Sequence, residues 1–197
     1  MVYNKDGVCE ACQKGKQIKF SFKSNSYESS TRPLSLLHMD LFGPVDPPNL
    51  SGRKYTLVVV DDYTRYTWTI FLKCKNETEK VLPELLRQVQ NEKNLTIIKI
   101  RSDQGKEFVN QVIHNFCDIN GIIHQLSASR TPQQNGVAER RNKTLKEAAI
   151  SMLASCGLPK RFWVEAINTA CYTQNRSIIH KKHGVTPYEL WKEKRQS

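Results

Sequence analysis

The spacing of hydrophobic residues changes partway along the chain, and that change constrains the fold more than any other feature. Three segments of strand character come first, close together. Leu34 to Phe42 is apolar and is closed by Gly43-Pro44; Lys54 to Asp61 is rich in valine; Arg65 to Leu72 follows after a gap so short that it implies an antiparallel hairpin. Helical and strand periods then alternate. A helix is expected over 76–92, with Asn76 and Glu79 at capping-box spacing and Pro83 set to delay or kink it. A strand over 95–101, a helix over 106–119 stopped by Asn120-Gly121, and a short strand over 122–126 follow. Helices close the chain over 137–156 and 159–177, and a short one starts at Thr186-Pro187-Tyr188-Glu189. This order predicts an α/β fold. Its sheet is mixed and five-stranded, three antiparallel strands then two parallel, with helices on both faces.

The domain is expected to occupy residues 33–197. Residues 1–32 differ in character: Cys9-Glu10-Ala11-Cys12, then Lys14, Lys16, Lys19 and Lys23, and a polar serine-rich run read as a truncated metal knuckle and a linker. The longest apolar run, Leu57-Val58-Val59-Val60, is far too short to span a bilayer, so no membrane partner is expected. Thirty Lys and Arg against nineteen Asp and Glu leave a net charge of +11 over 197 residues, a balance that favours a polyanionic partner. The charge is uneven. Residues 101–129 are net −1, residues 130–147 net +3 and the tail 176–197 net +4. Acidic residues beside basic surfaces suit a metal site facing a phosphate backbone.

Three acids stand at telling places. Asp40 interrupts an apolar strand, where a carboxylate is costly unless something pairs it. Asp103 lies just past the carboxyl end of the fourth strand, the edge at which open α/β sheets bind ligands. Glu139 falls on the first turn of the long helix. Each alone has an ordinary explanation: an arginine-paired acid, a turn former, a residue that favours a helix dipole. Brought together, three carboxylates would hold divalent cations through oxygen, and Mg²⁺ fits best. Lys143 and Lys146 share a helix face with Glu139; Leu145, Ala148, Ala149, Met152 and Cys156 mark a second face, expected to be core. Gln133, Gln134 and Asn135 in the polar loop before the helix are candidates for DNA contact, with Gly136 as its hinge; Arg130, Arg140 and Arg141 are candidates for phosphate. Asp61 and Asp62 form a rival acid pair, and Glu107 is either a support for Asp103 or exposed. Cys74, Cys117, Cys156 and Cys171 are spread out and read as packed thiols, while His114 and His124 read as surface.

Three segments together resemble the catalytic core of copia-like retrotransposon integrases. They are His38-Met39-Asp40-Leu41-Phe42-Gly43-Pro44, Ser102-Asp103-Gln104-Gly105-Lys106-Glu107-Phe108, and Thr131 to Arg140 with Pro132-Gln133-Gln134-Asn135-Gly136 ahead of Glu139. Thirty-five residues separate Asp103 from Glu139, which is that family's signature interval, and Thr186-Pro187-Tyr188-Glu189-Leu190-Trp191 resembles its pattern after the core. The resemblance covers about residues 33–197. It implies a ribonuclease H-like fold and metal-dependent polynucleotidyl transfer: 3′-end processing and strand transfer. It also implies two Mg²⁺ or Mn²⁺ ions held by Asp40, Asp103 and Glu139, with Asp40 between them. Lys143, Lys146, Gln133, Asn135 and Arg140 would contact double-stranded DNA of the element ends and target. A homo-multimer is implied, working in the nucleus after a stage in a cytoplasmic virus-like particle. The family carries a His, His, Cys, Cys zinc module ahead of its core. Only eight residues precede Cys9 and none is histidine, so Cys9 and Cys12 are expected to lack a complete Zn²⁺ site unless His38 or another distant residue substitutes. Two rival functions stay open. One is a catalytically inactive or domesticated DNA-binding fragment; the other is a nuclease of this fold acting on RNA–DNA hybrids.

Overall fold

A computed structural model describes residues 30–127 and 135–193. The strands are β1 (Leu36–Phe42), β2 (Tyr55–Asp61), β3 (Thr67–Leu72), β4 (Lys99–Ser102) and β5 (Ile123–Leu126). The helices are α1 (Thr78–Lys93), α2 (Gln111–Asn120), α3 (Gly136–Ser155), α4 (Trp163–Ser177) and α5 (Pro187–Lys192). The five strands form one sheet in the order β3-β2-β1-β4-β5. β1 pairs antiparallel with β2, which pairs antiparallel with β3; β4 runs parallel to β1, and β5 parallel to β4. The mixed sheet expected from the sequence is the sheet observed.

Period-two alternation sorts β1 and β2 between two cores. Leu37, Met39, Leu57 and Val59 face the layer containing α1 and α2; Phe42, Val58 and Val60 face Leu145 and Ala149 of α3 and Trp163, Ile167 and Ala170 of α4. Asp40 lies between Met39 and Leu41, so alternation turns it to the α3 side. β1 stops at Gly43, whose φ of +135° and tight packing demand glycine. A Cβ there would come within 2.5 Å of the Lys54 carbonyl oxygen.

Several local expectations shift. Asn76 lies in a short 3₁₀ turn, Lys75–Glu77, and caps nothing; α1 begins at Thr78 and accommodates Pro83 inside it. β4 is four residues rather than seven. α2 starts later than expected, where Asn110 accepts a hydrogen bond from the Ile113 N–H, and it ends at left-handed Gly121. The box at Thr186 and Glu189 forms as read, and it delivers Trp191 into the core against Tyr66 and Trp68, with its indole N–H donating to Glu92 at 2.9 Å. Cys117 and Cys171 are buried, but Cys74 and Cys156 are exposed; Cys156 follows the last residue of α3 rather than belonging to its core face. Among the described residues no helix is long and apolar enough to cross a membrane.

The rival acids Asp61 and Asp62 are structural. Asp61 is fully buried and accepts from the Leu34 N–H at 2.9 Å and from the Thr64 N–H and hydroxyl at 2.8 and 2.7 Å. Asp62 accepts from His38 Nε2 at 3.0 Å, from Ser30 and from Arg65 at 3.2 Å. His38 is buried, with no partner for Nδ1 among the described residues, while Cys9 and Cys12 lie outside them. Burial holds the His38 imidazole below its usual range against the pull of Asp62. Burial opposes the charge on Asp62, yet His38, Arg65 and Ser30 outweigh it and keep the carboxyl well below the usual range.

The pH dependence follows. Below pH 6.5 the unfolded chain protonates position 38 while the folded chain resists, so stability from this histidine falls on acidification. Urea unfolding at pH 7.5 and 5.5 should show wild type losing more stability than His38→Gln; equal losses would contradict this account.

Candidate active site

Three different elements bring the sequence-predicted acids to one region. Asp40 projects from β1 toward α3, Asp103 follows β4, and Glu139 sits on the first turn of α3. Asp40 and Glu139 line a single cleft of about 300 Å³ with Phe42, Asn142, Lys143, Lys146, Glu147 and Ile150. Asp103 is held by its own turn, where Oδ1 accepts from the Gly105 N–H at 3.0 Å. The three acids feel one another. Burial pushes the Asp40 carboxyl above its ordinary range, and the charge of Asp103 adds to this against a hydrogen bond from Asn142. Burial also raises Glu139, and Asp40 and Asp103 add to it while Arg140 opposes. Raised carboxyls arising from burial and like charge mark a place where a cation would be stabilising.

Among the described residues, no three His, Cys, Asp or Glu side chains are grouped closely enough to hold a metal ion by themselves. Mg²⁺ seldom needs such a group: it takes one or two carboxylates, keeps waters and completes its shell with substrate phosphate. Asp40 and Glu139 offer hard oxygens in a shared cleft. Beside them the Asn142 Oδ1 is buried without a partner among the described residues. This oxygen-only arrangement fits a hard cation.

Asn142 carried no signal in the sequence, and Asn135 carried one for a different role. Asn142 donates through Nδ2 to Asp40 Oδ2, fixing the acid against α3. Asn135, expected at the DNA surface, instead turns inward; it is 2% exposed and donates to the Met39 carbonyl at 3.1 Å. Its side chain secures the start of α3 to the strand carrying Asp40. Lys143 lies 4.0 Å from Glu147, one turn further along α3. Lys146 stands 5.0 Å over the Phe42 ring and helps lower Asp40. Arg140 is exposed. Arg141, read as a surface base, is half-buried and donates to Gln174 and to the Arg65 carbonyl. Glu107 pairs with Lys75 at 3.2 Å. Gln133, Gln134, Arg130, Cys9 and Cys12 lie outside the described residues.

The fold and the acid cleft meet in one class of protein. Residues 30–132 match the integrase core domain, which is more than half of the chain, and the chain belongs to that family. That match takes in Asp40 and Asp103 and stops before Glu139. Within the family the chain stands with copia-like retrotransposon integrase cores. It is 36% identical over 189 residues to a retrovirus-related Pol polyprotein of transposon Tnt1 from Nicotiana tabacum, covering 96% of this chain and 14% of that one. It is 30% identical over 175 residues to a Ty1 Gag-Pol polyprotein of Saccharomyces cerevisiae, covering 86% of this chain and 10% of the relative. The chain thus spans between a tenth and a seventh of these relatives. Among solved structures, a chain of the simian T-cell lymphotropic virus intasome in complex with PP2A regulatory subunit B56 gamma superposes with a TM-score of 0.68 at 19% identity, covering 96% of this chain and 65% of that chain. The HTLV-2 integrase catalytic core, solved with magnesium, gives 0.61 at 22% identity over 81% of this chain and 97% of that one. The shared fold is ribonuclease H-like.

One consequence concerns the metal-free protein. Asp40→Asn keeps an oxygen to accept from Asn142 but removes a buried charge from beside two others. It should raise Tm by about 2–4 °C, the shift that ~1 kcal/mol gives in a domain of this size. Calorimetry in chelator checks this; an unchanged or lower Tm would sink the like-charge account.

Proposed function

We propose that this chain is the catalytic core of an integrase that inserts retrotransposon DNA into host DNA by polynucleotidyl transfer. The observation that carries this reading is the cleft in which Asp40 and Glu139 face each other under two lysines, with Asp103 close enough to raise both carboxyls. In this reading Asp40, Asp103 and Glu139 hold two Mg²⁺ or Mn²⁺ ions. Such ions would turn a water or a DNA 3′-hydroxyl into the nucleophile and stabilise the leaving oxygen. The chain's own residues orient and attract. Asn142 fixes the Asp40 carboxylate, and Asn135 ties the start of α3 to β1, keeping Glu139 opposite Asp40. Lys143 and Lys146 draw the phosphate backbone to the cleft rim. No side chain needs to form a covalent intermediate.

The partners are double-stranded DNA of the element ends and of the target. A homo-multimer is the working unit in this reading, since the structural neighbours are described as an intasome and as trimeric and dimeric forms. The site of action is the nucleus, following a virus-like particle stage in the cytoplasm.

A branched DNA that mimics the joined product tests this without end recognition. Rejoining should require Mg²⁺ or Mn²⁺ and fall to the uncatalysed background in Asp103→Asn and Glu139→Gln. Full activity in either variant would remove the triad; absence of rejoining by wild type in both metals would favour an inert DNA-binding fragment. Lys146→Ala should weaken duplex binding and lower its salt slope by about one. Unchanged affinity would remove Lys146 from the interface.

A further inference from the structure

The turn that carries Asp103 is fastened from the neighbouring edge strand. Ser102, the last residue of β4, is fully buried, and its Oγ lies 2.8 Å from the Asp103 carbonyl oxygen and 2.9 Å from His124 Nε2. His124 stands on β5 opposite Ile100, while Ser102 stands opposite Leu126. The two side chains are therefore diagonal neighbours on one face of the sheet. Expected at the surface, His124 is half-buried. A hydroxyl has one proton to give. Ser102 gives it to the Asp103 carbonyl, so the contact with His124 is completed by a ring N–H that donates to Ser102 Oγ. This assigns the imidazole proton to Nε2. A chain of two hydrogen bonds thus runs from β5 to the backbone of Asp103.

It acts where the paired residues end. The register of β4 with β5 runs to Ser102 and Leu126, and Asp103 lies one residue beyond it. Asp103 Oδ1 accepts from the Gly105 N–H at 3.0 Å, which folds the turn on itself. That turn is tight: a Cβ at Gly105 would lie 3.0 Å from Asp103 Oδ1 and 2.7 Å from Glu107 Cδ. The carboxylate is held by its own turn, and the carbonyl of the same residue is held from β5. Strand pairing does not call for this. An alanine or valine would fill the buried position without desolvating a hydroxyl and an imidazole.

We infer that Ser102 and His124 are positioning residues for Asp103. The inference rests on the function proposed above and deepens it: neither side chain touches an ion or DNA, and both fix the turn that presents Asp103 to a cation shared with Asp40 and Glu139. Outer hydrogen-bond partners of this kind orient a ligand before the metal arrives.

Calorimetric titration of Mn²⁺ into the full chain, with a branched DNA present, tests this. His124→Leu and Ser102→Ala should each weaken Mn²⁺ binding about tenfold. His124→Gln keeps an N–H donor and should recover most of the affinity. The effect runs through Asp103, so His124→Leu should cause no further loss in an Asp103→Asn background. Melting curves are measured alongside. A lower Tm with unchanged Mn²⁺ affinity would show that the pair only holds β4 to β5, and would overturn the inference. A loss that multiplies with that of Asp103→Asn would overturn it as well. If wild type rejoins no DNA but the Mn²⁺ pattern appears, the integrase reading fails and the positioning role stands. If wild type rejoins DNA and the variants bind Mn²⁺ as tightly as it does, the positioning role fails and the integrase reading stands.

Discussion

Two asparagine side chains dock α3 onto the central strand, and the site depends on both. Asn135 donates to the Met39 carbonyl at the helix start, and Asn142 donates to the Asp40 carboxylate two turns later. Between them they set the spacing between β1 and the helix that carries Glu139. Without that docking the half-buried Asp40 would stand unpaired beside an apolar layer, which is unfavourable for a carboxylate. With it, the acid becomes one wall of a polar cleft.

The sheet supplies the rest of the constraint. β1 lies at its centre, paired to β2 on one side and β4 on the other, so it cannot slip without moving every pairing. A one-residue slip would exchange Met39 for Asp40 across the sheet and expel the acid from the cleft. The two cores resist this from opposite faces, Leu37 and Met39 on one side, Phe42 and Val58 on the other. Asp61 reinforces it by accepting three hydrogen bonds where β2 turns away.

Much of this was legible in the sequence because it is local. The strand and helix periods, the Asn120-Gly121 stop and the Thr186 capping box depend on residues within a few positions of each other, and they lie where the pattern put them. Asp40, Asp103 and Glu139 stood out through their neighbours and their spacing. Long-range polar contacts left no such mark. Asn135 and Met39 are 96 residues apart, and Asn142 and Asp40 are 102 apart, so neither asparagine looked different from any polar residue near a helix start. Arg141 read as one more surface base because its acceptors, Gln174 and the Arg65 carbonyl, come from distant elements. Asn76 misled for the converse reason: a correct local motif lost to a 3₁₀ turn that delays α1 to Thr78.

The central claim is that carboxylates from three elements act as one cation-binding centre. Calorimetric titration of Mn²⁺ into the full chain, with and without a short DNA duplex, tests it most directly. The account predicts saturable binding to wild type that weakens at least about tenfold in Asp40→Asn and in Glu139→Gln. Equal Mn²⁺ affinity in wild type and both variants would show that these acids do not share an ion, and would contradict the account.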